Sequence, residues 1–446
     1  MRKIRLGMVG GGRGAFIGGV HRIAARLDGR FDLVAGALSS DPTRARDSAA
    51  DLGITADRAY ADFSDMARTE AERADGIEAV AIVTPNHLHA APAIAFLEAG
   101  IHVICDKPLC ASMEEAEAMA AAARKSKARF FLTHNYTGYP LIRRARQLIA
   151  EGALGAIRVV QVEYAQDWLS RVIETEGQKQ AGWRTDPAKT GGAGAIGDIG
   201  THALNLATFV TGLGVEALAA DLQSFGPGRR VDDNANILLR FENGARGMLW
   251  ASQVAVGNEN GLRLRVYGEK GGIEWGQEDP NRMTLTRLSE PKQILTRGGA
   301  GSGPDWTRIP PGHPEGYLEA FATLYDEIAD AISGSERPRC SCHCGGSSSK
   351  GAKAASAALD RTLDEANEQL LGPAHRALAH GMRGLMLLRQ HMLKVSAKAR
   401  ARTNSEAAGK LCERGPDGEL QLRHDPPLIW RHALLDRSWT ADIDWR

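Results

Sequence analysis

Residues 191–202 read Gly-Gly-Ala-Gly-Ala-Ile-Gly-Asp-Ile-Gly-Thr-His, which sets the carboxylate of Asp198 four positions ahead of the imidazole of His202. On a helix that spacing stacks both groups on one face. Asp198 would then orient His202 and support it electrostatically as a proton acceptor, the chemistry of a general base titrating near neutrality. An aspartate and a histidine at helical spacing are also a common structural pair. The pair takes on chemical meaning only from what the rest of the chain places around it.

The element that would supply a reaction partner lies at the start. A short apolar strand over residues 4–9 is followed at once by Gly10-Gly11-Gly12-Arg13-Gly14-Ala15, and then by a helical stretch to about Leu27. Gly10, Gly12 and Ala15 fit the G-x-G-x-x-[G/A] pattern. The first glycine allows a tight turn, the second lets the backbone approach a pyrophosphate, and the third small residue lets helix pack on strand. The helix N-terminus then offers unpaired N–H groups and the positive end of a dipole to phosphates, with Arg13 beside them. The next strand, over residues 31–38, ends in Ser39-Ser40-Asp41-Pro42, where an NAD enzyme usually carries an acid for the ribose 2′-hydroxyl. Ser39, Ser40 and Arg44 suit a 2′-phosphate, and Asp41 suits NAD from a shifted position, so NAD and NADP both remain open.

Three further strands end in polar clusters. Residues 78–83 lead to Thr84-Pro85-Asn86-His87-Leu88-His89, residues 101–105 to Asp106-Lys107-Pro108-Leu109, and a later alternation to Thr133-His134-Asn135-Tyr136. Strands alternating with helices predict a parallel, doubly wound sheet, and ligands bind outside the carboxyl ends of such strands. For His87, His89 and His134 a capping or loop role competes with a chemical one. Beyond this α/β domain, residues 158–164, 235–241, 247–254 and 262–267 read as β-branched, alternating strands with turns such as Glu242-Asn243-Gly244 between them.

The Gly-rich turn, Thr84-Pro85-Asn86, Asp106-Lys107-Pro108, Trp183-Arg184 and Gly197-Asp198-Ile199-Gly200-Thr201-His202, in that order and spacing, resemble the glucose-fructose oxidoreductase and inositol dehydrogenase (Gfo/Idh/MocA) family. The resemblance covers residues 1–336. It implies an NAD(P)-binding Rossmann domain over 1–136, then a substrate-binding and oligomerisation α+β domain with an open, mostly antiparallel sheet over 137–336. It also implies NAD(P)-dependent oxidation or reduction of a secondary alcohol on a sugar, polyol or cyclitol. Lys107 corresponds to the lysine of the family's Glu-Lys-Pro motif, with aspartate here in place of glutamate, and such a cation can orient a hydroxyl and stabilise alkoxide charge. His202 corresponds to the general base or acid, and Asp198 to the carboxylate completing the triad. Thr84, Asn86, His89 and Lys107 would border the cofactor. Asn135, Tyr136, Trp168, Trp183 and Arg184, with Asp167 beside them, would join Lys107, Asp198 and His202 around a polyhydroxylated ligand. Thr137 stands where the family commonly has arginine. A homodimer or homotetramer is implied. An NAD-dependent glycosidase using transient oxidation, and a dinucleotide-binding protein without turnover, are the alternatives.

Composition agrees with a small-molecule enzyme. The 446 residues carry a formal charge of +1, which gives no reason to expect nucleic acid or an anionic membrane as partner. No signal-length apolar run opens the chain and no later stretch approaches a membrane span, so a cytoplasmic protein is expected. Six cysteines are too few for a disulfide scaffold, and Cys105 and Cys110 sit in an apolar setting that suits packed thiols. After a helix over residues 314–332 the composition breaks. Residues 337–353, with Cys340-Ser341-Cys342-His343-Cys344 and a serine run, read as a linker, and the cysteine spacing lacks the pairs typical of zinc sites, so no metal is expected. Residues 354–371 and 377–399 read as helices of a tail over 354–446. Residues 337–446 hold 18 basic against 12 acidic residues, a charge of +6 against −5 for the body. A gene fusion or frame change would produce such a break. The strand and helix that normally close the family's fold have no convincing counterpart beyond residue 332.

Overall fold

The computed structural model describes residues 2–303 and 306–334, and the backbone of two short strands at 412–414 and 420–422. Its first sheet contains β1 (Ile4–Gly10), β2 (Phe31–Ala37), β3 (Ala79–Val83), β4 (His102–Asp106) and β5 (Phe130–Thr133), all parallel, in the order β2-β1-β3-β4-β5. Five helices join them: α1 (Phe16–Leu27), α2 (Pro42–Asp51), α3 (Phe63–Glu72), α4 (Ala90–Glu98) and α5 (Met113–Lys125). Alternation along each strand divides the core between the two faces. Leu6, Met8, Ala79, Ala81 and Ile104 pack on the α1 side, while Val80, Ile82, Val103 and Cys105 pack on the side of α3, α4 and α5. The order of strands reverses between β1 and β3, where Gly10 lies opposite Val83. The glycine turn and the Thr84 loop therefore flank the crevice where such sheets bind ligands. Cys105 and Cys110 are buried free thiols, as expected, and burial pushes the Cys110 thiol up to about 12.

After α6 (Pro140–Ala150), β6 (Ile157–Ala165) opens the second domain, followed by α7 (Lys179–Arg184), α8 (Pro187–Thr190), a single π turn (Ile196–Gly200) and α9 (Thr201–Thr211). Seven more strands complete it: β7 (Val215–Gln223), β8 (Asn234–Phe241), β9 (Arg246–Ser252), β10 (Gly261–Gly268), β11 (Gly271–Gly276), β12 (Arg282–Arg287) and β13 (Gln293–Thr296). The eight strands lie in the order β13-β12-β11-β10-β6-β9-β8-β7, antiparallel except for β6 beside β9. Val160, Val162, Leu249, Leu262 and Leu264 are buried on the inner face, which α9 covers. The strands missed in sequence are an alanine-rich edge, β7, and three short strands, β11, β12 and β13, whose glycines and polar residues carry little β-branched alternation.

The final described helix, α10 (Tyr317–Ser333), is the one expected over residues 314–332, and it corrects the expectation that nothing closes the fold. Phe321, Ala322, Tyr325, Ile328 and Ala329 join the first domain's core against α1, and Arg30 pairs with Asp326 at 2.6 Å. Arg308, in the segment leading to α10, makes a bidentate pair with Asp28 at the end of α1. The chain thus returns to its first sheet before the composition break. The expected linker, its cysteine run and the two tail helices lie outside the described residues. Within a separate unit, residues 385–446, β14 (Cys412–Arg414) pairs antiparallel with β15 (Leu420–Leu422).

Candidate active site

The turn after β1 is built by backbone geometry. Gly10, Gly11 and Gly14 have φ of 78°, 74° and 77°, which side chains with a Cβ rarely adopt. At Gly12 a Cβ would lie 2.7 Å from the Leu38 carbonyl oxygen and 2.8 Å from Ser48 Oγ, so only glycine fits that cradle. The close helix–strand approach falls elsewhere than Ala15: a Cβ on Gly18 would lie 2.4 Å from Gly11 Cα. Ala15 instead caps α1 from extended backbone. The expected cofactor residues of the second loop divide. Asp41 is the N-cap of α2, its Oδ1 accepting from Arg44 N at 2.7 Å, and Ser39 Oγ accepts from Asp41 N. Ser40 and Arg44 are exposed. The Arg13 guanidinium is held by Asp47 and Asp51 on α2.

At the ends of β4 and β5 a second set of groups converges. The Lys107 ammonium, just past β4, donates to Asp198 Oδ1 at 3.0 Å and to the Asp198 carbonyl at 2.8 Å. Arg184 Nε and Gln253 Nε2 donate to Asp198 Oδ2 at 3.0 and 2.9 Å. Burial opposes ionisation of this carboxyl, but the charges of Arg184 and Lys107 and their hydrogen bonds outweigh it and hold Asp198 well below the usual carboxylate range. Its two oxygens are thus occupied by donors from three other segments. The expected regular α-helix carrying both Asp198 and His202 does not form. The π turn Ile196–Gly200 changes the angular step there, and no hydrogen bond joins the two side chains among the described residues.

His202, in the first turn of α9, is buried with Nδ1 unpartnered among the described residues. Its ring meets Tyr136 edge-on at 4.7 Å and His134 at 5.8 Å. Burial pushes its proton affinity well below the ordinary histidine range, Lys107 and His134 add to the effect, and the charge of Asp198 does not restore it. The imidazole is therefore neutral at neutral pH, a proton acceptor rather than a donor, and the expected titration near neutrality moves toward acid.

Matches to family models agree with this geometry. Residues 4–134 match the oxidoreductase family with an NAD-binding Rossmann fold, and residues 142–274 match the Gfo/Idh/MocA C-terminal domain. A solved oxidoreductase from Sinorhizobium meliloti is 55% identical, with a TM-score of 0.69 over 76% of this chain and 92% of its own. The chain belongs to the Gfo/Idh/MocA family. It is an NAD-binding oxidoreductase of that family. An inositol dehydrogenase homologue from Azotobacter vinelandii, solved with NADH and myo-inositol, is 39% identical, with a TM-score of 0.69 over 75% of this chain and 86% of its own. The levoglucosan dehydrogenase of Pseudarthrobacter phenanthrenivorans is 30% identical over 65% of this chain and 78% of its own length.

Around Lys107 the remaining predicted residues take distinct places. Asp106 is buried and accepts from Thr133 Oγ1 at 3.1 Å; His21 Nε2 lies 3.4 Å from it and His21 Nδ1 2.8 Å from the Tyr325 hydroxyl. His89 is buried, with its ring nitrogens 2.7 Å from the Thr84 carbonyl and 2.9 Å from that of Pro108, so it ties the two strand ends together. Thr84 Oγ1 donates to the Leu88 carbonyl, and Asn86 is buried in the same loop. Asn135 is buried with Nδ2 unpartnered among the described residues. Tyr136 turns its ring to His202 and shares its hydroxyl with Tyr164 at 2.6 Å and with Asn260 at 3.3 Å. Burial raises the pKa of both phenols, which stay protonated. The Trp183 ring lies 4.3 Å under the Arg184 guanidinium. Trp168 is half-buried, and Asp167 beside it accepts from Gly257 N. Gln253 and Asp232, whose carboxylate accepts from the Gly194 and Ile196 amides, were missed in sequence. Neither sits in a motif, and only the sheet brings them to residues 194–198.

Proposed function

We propose that this protein is an NAD-dependent dehydrogenase acting on a secondary alcohol of a neutral sugar, polyol or cyclitol. The observation that carries the reading is the juxtaposition of a charged, pinned ammonium at Lys107 with a neutral, buried imidazole at His202 whose ring nitrogen has no protein partner. Gly10, Gly11, Gly12 and the start of α1 would hold the pyrophosphate, since the space a Cβ would fill at Gly12 is kept open. When bound, NAD supplies the ring that accepts hydride. His202 takes the hydroxyl proton. Lys107 donates to the same oxygen and stabilises the charge that develops as the proton leaves. Asp198 holds Lys107 in place through two hydrogen bonds, and Asn135 offers a free amide to a neighbouring hydroxyl. The relatives that bind myo-inositol or act on levoglucosan favour cyclic polyols. Ser39, Ser40 and the exposed Arg44, with Asp41 committed to its helix cap, support use of NADP beside NAD.

A spectrophotometric screen of cyclitols, anhydrosugars and aldoses with both cofactors tests the reading. Turnover of at least one cyclic polyol is expected, and reduction with none of them would overturn it. The outer face of the second sheet supports the homo-oligomer. Leu238 and Met248 are 63% and 51% exposed beside Trp250, with Glu163 paired to Arg263 and Arg265, around a groove of about 450 Å³. A second copy covering this face would give a dimer or tetramer by light scattering, and a monomer at micromolar concentration would exclude it.

A further inference from the structure

Gln253 follows β9 and is only 2% exposed. Its main chain is fixed on both sides: the amide donates to the Asp233 carbonyl at 2.8 Å, and the carbonyl accepts from Leu169 N at 3.0 Å. From this rigid base the side-chain amide reaches Asp198 Oδ2 at 2.9 Å, where Arg184 Nε also donates, while Lys107 holds Oδ1. Two cations alone leave a carboxylate free to rotate and follow whichever long side chain moves. A neutral donor on a strand end fixes its plane and adds no charge. The alternative arrangement is the one that the spacing of Asp198 and His202 favours, with the carboxylate on the imidazole.

We propose that Gln253 is a positioning residue of this site: its amide anchors Asp198 toward Lys107 and Arg184, and so keeps His202 free of the carboxylate and available to substrate. This rests on the dehydrogenase reading for its consequence in turnover, though not for the pairing itself. The charged groups gathered with the amide on this carboxylate are Lys107 beyond β4 and Arg184 on α7, and the titratable His202 follows Asp198 by four residues on α9. Asp233, next to it, is already engaged by Arg229 and by the amides of Phe225 and Gly226.

The substitution Gln253→Leu removes the donor at similar volume. Released from its anchor, Asp198 can reach His202 and raise the proton affinity of the imidazole. The acid limb of kcat/KM is then expected to move to higher pH, and kcat to fall about tenfold to a hundredfold, the range of one hydrogen bond to a charged group. NAD affinity should stay within about twofold, since the glycine turn is untouched. The substitution Gln253→Glu separates positioning from packing. When protonated, the new carboxyl donates to Asp198 as the amide does; when ionised, it sets two anions side by side. Its pKa in the folded protein is therefore raised, so its stability is full in acid and lost as pH rises through that raised value.

The variant should approach wild-type turnover and melting temperature near pH 5 and lose both toward pH 8, relative to wild type measured at each pH. A Gln253→Leu enzyme with an unmoved acid limb, or a Gln253→Glu enzyme whose melting temperature and turnover follow wild type at every pH, would overturn the proposal. If wild type turns over no polyol, the dehydrogenase reading falls, and the pH-dependent melting of Gln253→Glu against Gln253→Leu still decides whether the amide anchors Asp198.

Discussion

The glycine turn after β1 and the cluster around Asp198 sit on the same protein and are built in opposite ways. The turn is nine consecutive residues, Gly10 to Gly18, whose work is done by absent side chains and by backbone. The cluster draws Lys107, Arg184, the Asp198 to His202 stretch and Gln253 from four separate segments, and its work is done by charge. A local device tolerates change in its surroundings and fails when a single atom is added within it. An assembled device fails when any contributor is removed, because its ionised groups are balanced against one another in a partly desolvated place.

That contrast can be broken at either end, and the cluster should break hardest. Replacing His202 with Ala removes the proton acceptor, which contributes about 10²–10⁴-fold in general base catalysis. Turnover should fall by that factor while NAD affinity, measured by fluorescence titration, stays at the wild-type value. Loss of both together would mean that the turn and the cluster are not separable. Asp198→Asn comes next. It leaves the Lys107 and Arg184 cations without their counter-charge, at a cost of about 3 kcal/mol, the low end for a buried pair because Lys107 and Asp198 each keep 15% of their surface. The folded carboxyl is held below its unfolded value. Its contribution is thus present above the unfolded pKa of about 3.9 and is lost only in stronger acid, as pH falls through the depressed value. The melting deficit of Asp198→Asn should therefore be constant from pH 5 to 8 and shrink in strong acid. A deficit that vanished near pH 6 would contradict the pairing.

The same contrast explains what could be read from residues alone. Gly10 and Gly12 lie next to the strand and helix that give them meaning, so the turn and the parallel sheet were legible, as was the family through the order of its motifs. The exception in that region, Gly18 in place of Ala15 as the close-contact position, arises because the helix begins at Phe16 and its first turn, not its cap, faces Gly11. In the cluster the residues Lys107, Asp198, Arg184 and His202 are legible one by one, but the donors that hold the Asp198 carboxylate are not. The four-residue spacing predicts an α-helix where the chain makes a π turn, and the glycines that permit that turn carry no sign of it. Gln253 had no local signal at all, since a glutamine after a strand is usually solvated. The closing helix was seen and its destination was not, because the apolar face of α10 does not state which sheet it will cover.

The smallest effect sharpens the local end. If Gly18 is the close-contact position, Gly18→Ala must push α1 away from Gly11, because its Cβ would sit 2.4 Å from Gly11 Cα and 2.8 Å from the Gly11 carbonyl oxygen. Overpacking of this kind costs about 1–3 kcal/mol. Part of it should appear as weaker NAD binding, about three- to tenfold, because the displaced helix start carries the N–H groups aimed at phosphate. Ala15→Gly, at the helix cap, should change that affinity by less than about twofold, since glycine is tolerated at a cap. Turnover at saturating cofactor should be near wild type in both variants, because neither touches Lys107, Asp198 or His202. Equal affinity losses in the two would return the contact to Ala15, and a turnover loss in Gly18→Ala at saturating NAD would show that the turn and the charged cluster move as one body.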